Sequence, residues 1–367
     1  MTETPLFPRD AFEIPAGAAH VCAGGEPPFL RRHAAAFAAY ARDKGLGAPG
    51  RTAQEAEVER VRGLLAGRWG CTTGDIGFVS SVAEGVAMLA ESIDWRPGDN
   101  VVFDPDEYPS VVSPFLFHPA PETRFVPVAR MASVVDAKTR LIGVSAASYL
   151  NGACPDLPAL RALADSVGAM LVVDFTQAAG WMPIRADIAD FGFAASYKWH
   201  LGTTGIATAY WNRARQPGWA PRTAGWNSIA PGTGKLDYGS GFGLVPDAMR
   251  FCRGNPAHVP LYVLGSALDF LAQWDTGVVQ RHVHGLTTAL LARLAAAGIP
   301  STTPPDPRHH GASVCIESLR ASAIVAALGE QNVLAWNGRG RIRFSFHGYN
   351  AMDDVERIMA ALVPAWG

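Results

Sequence analysis

The chain has 367 residues, 49% of them hydrophobic and 17% charged, with a formal net charge of −2. That balance suits a folded chain with a full core and two lobes, and it gives no support to a nucleic-acid partner. Five scattered cysteines form no CxxC pair, so neither a disulfide framework nor a metal site is indicated, and no run of about 18 apolar residues marks a membrane span.

Residues 1–30 are rich in Pro and Gly, read as extended, and lack the apolar core of a signal peptide, which makes the cytoplasm the expected location. Apolar spacing predicts a helix over 28–40 and a loop over 45–50. An amphipathic helix follows over 52–69, with Val58, Val61, Leu64 and Leu65 on one face. A strand over 76–79 runs into Ser80-Ser81, which opens a helix carrying Glu84 in its first turns. Strands are expected at 101–103, 124–128, 139–144 and 169–173, with a helix at 157–167. Short apolar strands alternating with helices argue for a mostly parallel sheet covered on both faces. In such sheets ligands collect at the carboxyl ends of the strands. Asp174, Tyr108 and the turn at 80–83 all fall at that edge.

Residues 212–257 are rich in Gly and Pro and show little periodicity. Helices at 260–273, 279–297, 320–328 and 353–362, with strands at 313–316 and 341–346, read as a smaller α/β lobe. The expected division is an N-terminal segment (1–20), a large domain (21–257) and a small C-terminal domain (258–367). The N-terminal segment is a candidate to join the small domain.

The chemistry concentrates between residues 171 and 211. An apolar run ends on Asp174, Gln177 follows, and a second apolar run over 191–195 leads into Ser196-Tyr197-Lys198. The chain has only four lysines, Lys44, Lys138, Lys198 and Lys235, among 31 basic residues. It carries positive charge on Arg by default, so a lysine between Tyr197 and Trp199 asks for an amine whose pKa can be moved. A desolvated Lys can lose its proton and form a Schiff base; Arg cannot. A carboxylate ending a nearby strand suits pyridoxal 5'-phosphate (PLP), whose ring nitrogen it keeps protonated. The helix start after Ser80-Ser81 offers free N–H groups to a phosphate, and Tyr108 is the candidate to stack on the ring.

These residues carry a resemblance. Asp174-x-x-Gln177, then Ser196-x-Lys198 and the turn Gly202-Thr203-Thr204-Gly205, resemble fold type I PLP-dependent enzymes of the aminotransferase class V group, which includes cysteine desulfurases and kynureninases. The resemblance spans roughly residues 20–360. It implies that Lys198 forms the Schiff base, Asp174 meets the pyridine nitrogen and Gln177 contacts the phenolic oxygen. Val82 and Ala83 stand at the phosphate, where relatives often have two threonines. Tyr108 and Tyr197 replace histidines of the desulfurases, and Tyr149 falls where they have an Asn near the cofactor. Arg343, before Tyr349-Asn350, matches the arginine that grips a substrate α-carboxylate, and a bidentate guanidinium clamp is the physical reason for it. Trp226 and Asn255 resemble segments contributed across a homodimer interface.

The resemblance also has a gap. Desulfurases carry a nucleophilic Cys shortly before that arginine, and here the stretch reads Ala335-Trp336-Asn337-Gly338-Arg339-Gly340. Asn337 and Arg339 are candidates to shape the substrate pocket instead, together with the loop at 23–25. The expected function is a PLP-dependent enzyme acting on an α-amino acid or small amine by transamination. The alternatives are a C–S or C–C lyase without a nucleophilic Cys, and a catalytically silent PLP-fold protein.

Overall fold

The computed structural model describes residues 3–230, 239 and 241–367; part of the Gly- and Pro-rich stretch 212–257 and the first two residues of the N-terminal segment lie outside them. The strands in chain order are β1 (Ala19–His20), β2 (Ile76–Val79), β3 (Asn100–Phe103), β4 (Glu122–Phe125), β5 (Thr139–Ser145), β6 (Met170–Asp174), β7 (Phe191–Ala195), β8 (Ala207–Trp211), β9 (Ser313–Glu317), β10 (Val333–Leu334), β11 (Trp336–Gly338) and β12 (Arg341–Ser345). The helices are α1 (His33–Lys44), α2 (Ala48–Trp69), α3 (Val82–Ser92), α4 (Pro109–Leu116), α5 (Leu157–Val167), α6 (His258–Leu271), α7 (Thr276–Ala296), α8 (Ala321–Glu330) and α9 (Met352–Trp366).

Seven strands form the central sheet in the order β2-β8-β7-β6-β5-β3-β4. From β7 to β4 the pairing is parallel; β8 runs antiparallel to both β7 and β2. The inner strands are buried along almost their whole length, as expected of strands covered on both faces. Two apolar clusters flank the sheet. One is built on α2, α5 and α6, the other on α3 and α4. The α/β class with a mostly parallel sheet is therefore as the sequence predicts.

Boundaries moved where Pro and Gly intervene. The first helix starts at His33, past Pro27-Pro28, and stops at Gly45. The expected loop at 45–50 is shorter, because Pro49 sits in the first turn of α2, where its missing N–H is no loss. The strand expected at 124–128 is Glu122–Phe125, largely exposed at the sheet edge, and Pro127, which has no donor for a ladder, follows it.

The smaller lobe has a three-stranded antiparallel sheet, β11-β12-β9. The N-terminal segment packs here. β1 pairs parallel with β10, and Phe7, Phe12 and Val21 share one apolar cluster with Val314, Phe344 and Leu362. No described helix is long and apolar enough to cross a membrane.

Candidate active site

Two cavities meet at one lysine. The inner one, about 210 Å³, lies at the carboxyl edge of the central sheet and reaches the first turn of α3. The outer one, about 310 Å³, opens toward the small lobe. Lys198, Tyr108 and Tyr197 line both.

Lys198 follows β7 and is only 6% exposed. Its Nζ stands 5.4 Å from the Tyr108 ring centroid and 5.5 Å from that of Tyr197. Burial, with Arg343 nearby, lowers its pKa to about 8, while Asp174 and Glu26 pull the other way. The result is an amine that is partly neutral near physiological pH, as nucleophilic and base chemistry requires.

Asp174 ends β6, paired with Ser145 of β5 on one side and Phe193 of β7 on the other. Its carboxyl lines the inner cavity and accepts the Thr176 N–H at 2.8 Å. Burial raises its pKa; the Thr176 hydrogen bonds and the charge of Lys198 oppose that. A buried carboxyl in this state calls for a partner that shares a proton with it.

At one end of the inner cavity stands the first turn of α3. Ser81 caps α3 by accepting the Glu84 N–H at 3.2 Å, and the Glu84 carboxylate returns to the Ser80 N–H at 2.7 Å. The first-turn N–H groups of Val82 and Ala83 have no helical partner. Val82 lines the cavity and Ala83 does not. Hydroxyls absent at these two positions are present nearby on Ser110 and Thr204, both lining the cavity. Neither was singled out by sequence. The signal was a Ser in the first turn of α4, just after Tyr108, and the Thr204 hydroxyl in the motif turn Gly202-Thr203-Thr204-Gly205, to which no role was given.

Tyr108 is placed by its neighbour. The Glu107 carboxylate accepts the Tyr108 N–H at 2.6 Å and the Ser145 N–H at 2.7 Å, tying the β3 loop to the end of β5. Asp104 shapes the same loop, accepting the N–H groups of Asp106 and Val128, each at 2.9 Å.

Four expected cofactor contacts, Gln177, Tyr149, Trp226 and Asn255, do not line the inner cavity. The Gln177 amide donates to the Gly24 carbonyl at 3.0 Å and accepts the Trp199 indole N–H at 2.9 Å, and Gln177 lines neither cavity. It holds the 23–25 loop against the lysine segment. Tyr149 belongs to the outer cavity; its ring meets that of Tyr108 edge-on at 4.9 Å, and its hydroxyl accepts from Arg339. Trp226 and Asn255 lie at the surface of this chain, Trp226 under the Arg51 guanidinium at 5.7 Å.

The outer cavity owes its charge to one hairpin. Arg339 and Gly340 both have positive φ (55° and 73°), giving the two-residue turn that joins β11 to β12. Arg341 and Arg343, at alternate positions of β12, share a face, and with Arg339 of the turn they line the cavity. Arg341 was not singled out by sequence, although the alternation of Arg from 339 to 343 was its signal. Asn337 instead donates to Ser322 at 2.9 Å. Arg343 is buried, donates to the Tyr149 carbonyl at 2.8 Å and lies 5.8 Å from the Trp336 ring centroid, while its Nε has no partner among the described residues. Burial lowers its pKa from the ordinary arginine value. A buried guanidinium with a free N–H is what a carboxylate fork requires.

All five thiols are pushed up by burial, Cys22, Cys71 and Cys154 to about 12 and Cys252 and Cys315 to about 11, and none lines either cavity.

Comparison with known proteins agrees with this geometry. The family model described as Aminotransferase class-V matches residues 48–358. An uncharacterized aminotransferase, YcbU of Bacillus subtilis, is 23% identical over 310 residues, covering 82% of this chain and 81% of its own. A probable cysteine desulfurase of Methanothermobacter thermautotrophicus is 25% identical, covering 82% and 81%. A solved C-DES mutant with glycine covalently linked to the PLP cofactor superposes with a TM-score of 0.88 at 20% identity, over 97% of this chain and 99% of that one.

Proposed function

We propose, for a chain that belongs to the aminotransferase class-V family of PLP-dependent enzymes, that it moves the amino group of an α-amino acid by transamination. The carrying observation is the position of Lys198, with a buried carboxyl in the cavity on one side and a buried guanidinium in the cavity on the other.

The inner cavity fits the cofactor. Asp174 would hold the ring nitrogen, the first turn of α3 with Ser110 and Thr204 the phosphate, and Tyr108 a ring face. Bound PLP supplies an aldehyde that condenses with amines and a ring that takes up the electron pair left at Cα. The rest falls to the chain. Arg343 receives the α-carboxylate and sets the Cα–H bond toward Lys198. Lys198, neutral above about pH 8, is the base that removes the Cα proton and carries it for the transfer. Asp174 would keep a proton shared with the ring nitrogen of the bound cofactor. Trp226 and Asn255, exposed on this chain, are the surface that a second copy of the chain would cover.

One observation favours a second reading, a lyase that breaks a bond beyond Cα. Tyr149 and Tyr197, whose hydroxyls burial holds protonated, line the outer cavity with Arg339, and amino-group transfer has no need of proton donors there. A persulfide on a protein thiol has no support, because every cysteine lies outside the site.

Single-turnover product analysis separates the readings. Holoenzyme given one amino acid and no keto acid should yield one equivalent of keto acid per site and no ammonia. Ammonia released well beyond one equivalent per site would replace transamination with the lyase reading. A protein that neither binds PLP through Lys198 nor reacts would be the silent relative.

A further inference from the structure

The backbone directly after Lys198 is held by two imidazoles from opposite ends of the chain. Residues 198–201 form a tight turn in which the Leu201 N–H donates to the Lys198 carbonyl at 2.8 Å. Leu201 is a non-glycine residue with φ 58°, in the left-handed region that a branched side chain rarely adopts, and it is buried. Gly180 packs so closely beneath that a Cβ there would lie 2.1 Å from the Trp199 carbonyl oxygen.

Two carbonyls flank His200 in this turn, and each meets a histidine. His347 Nε2 lies 3.0 Å from the Trp199 oxygen, and His33 Nε2 lies 2.8 Å from the Leu201 oxygen. A carbonyl only accepts, so each ring is the donor and must carry its proton on Nε2. Both rings are fully buried, and neither Nδ1 has a partner among the described residues. His33 begins α1; His347 stands two residues past β12, four past Arg343. Neither lines a cavity, so the chemistry above leaves both unused.

We propose that His33 and His347 are positioning residues for Lys198: their Nε2–H groups hold the Trp199 and Leu201 carbonyls in the strained turn that presents the amine where the two cavities meet. The turn is thereby tied at once to the N-terminal helix and to the small lobe that carries Arg343. This rests on the reading of Lys198 as the cofactor lysine.

The test uses the reach of an amide. Gln at position 347 places a donor near the position of Nε2, whereas Asn reaches only as far as Nδ1. Purified His347→Gln and His347→Asn are treated, as apo-protein, with an amine-arylating reagent. Lys198 labelling is followed by peptide mapping against Lys138 as internal control, and PLP release from the holoenzyme is timed by visible absorbance. Loss of one buried hydrogen bond corresponds to about a tenfold effect. His347→Asn should slow Lys198 arylation relative to Lys138 and speed PLP release, each by about tenfold, with KM unchanged, and His347→Gln should recover both. Equal behaviour of Gln and Asn, or Lys198 reactivity unaffected by Asn, overturns the proposal. If His347→Asn does not fold, the Gln and Asn pair at His33 decides in the same way. Failure of PLP to protect Lys198 in the wild-type protein would instead overturn the cofactor reading, and so the two failures are distinguishable.

Discussion

The inner and outer cavities share Lys198 but are built in opposite ways. The inner one is made by the carboxyl ends of β2, β3, β6 and β7 and the turns that follow them, with Asp174 closing β6 and Lys198 in the turn after β7. The outer one is assembled from the loop at Gly24–Glu26, the turn at Tyr149 and a hairpin more than three hundred residues from that first loop. A cofactor site can be fixed by the sheet alone. A substrate site made from distant pieces changes whenever the lobes or their loops change, so its specificity is the more variable half.

Substitutions at the inner site should give the largest effects. Lys198→Ala should lower kcat by about a thousandfold or more, the scale of a lost general base. A smaller loss measured in steady-state kinetics would place the proton transfer elsewhere. Acid should attack the same region through stability. Burial lowers the pKa of His347 from 6.5 to about 4 and that of His200 to about 3, with neighbouring positive charge adding to it. The unfolded chain therefore binds more protons than the folded one between about 6.5 and 4. Stability is full above pH 6.5 and is lost as pH falls through that window, by on the order of 3 kcal/mol for each ring. Thermal unfolding from pH 7 to 4.5 checks this, and a His200→Gln variant should flatten the slope.

Asp174→Ala comes next, with kcat reduced about a hundredfold while PLP stays bound, since the electrostatic support of the ring is removed. At the outer cavity Arg343→Ala should raise KM for α-amino acids by about ten- to a hundredfold, the range for hydrogen bonds to a charged group, with a smaller effect on kcat. Tyr149→Phe should change either constant by less than about tenfold, since it removes one hydroxyl contact to Arg339. If Tyr149→Phe instead abolishes product formation while Cα chemistry continues, the outer cavity supplies the proton that the lyase reading needs.

The same contrast explains what could be read from the sequence. Asp174, Lys198 and the start of α3 were legible because each follows an apolar strand directly, and strand-end position is a local signal. Arg343 was legible through its family context. Arg341 went unread because its meaning depends on the hairpin turn at Arg339-Gly340 that sets the strand's facing. Gln177 was expected at the cofactor, yet its amide is taken by Gly24 and Trp199, partners whose proximity no local pattern reveals. His33 and His347 were not singled out for the same reason: the turn they meet lies far away along the chain.

The central claim is that Lys198 moves the Cα proton of an amino acid held by Arg343. Hydrogen–deuterium exchange at Cα in heavy water, followed by proton NMR on a panel of amino acids, tests it without reference to the final product. Wild-type holoenzyme should exchange the Cα proton of its substrates, Arg343→Ala should need much higher substrate concentrations, and Lys198→Ala should show no exchange above the rate of free PLP. Undiminished exchange in Lys198→Ala would contradict the account.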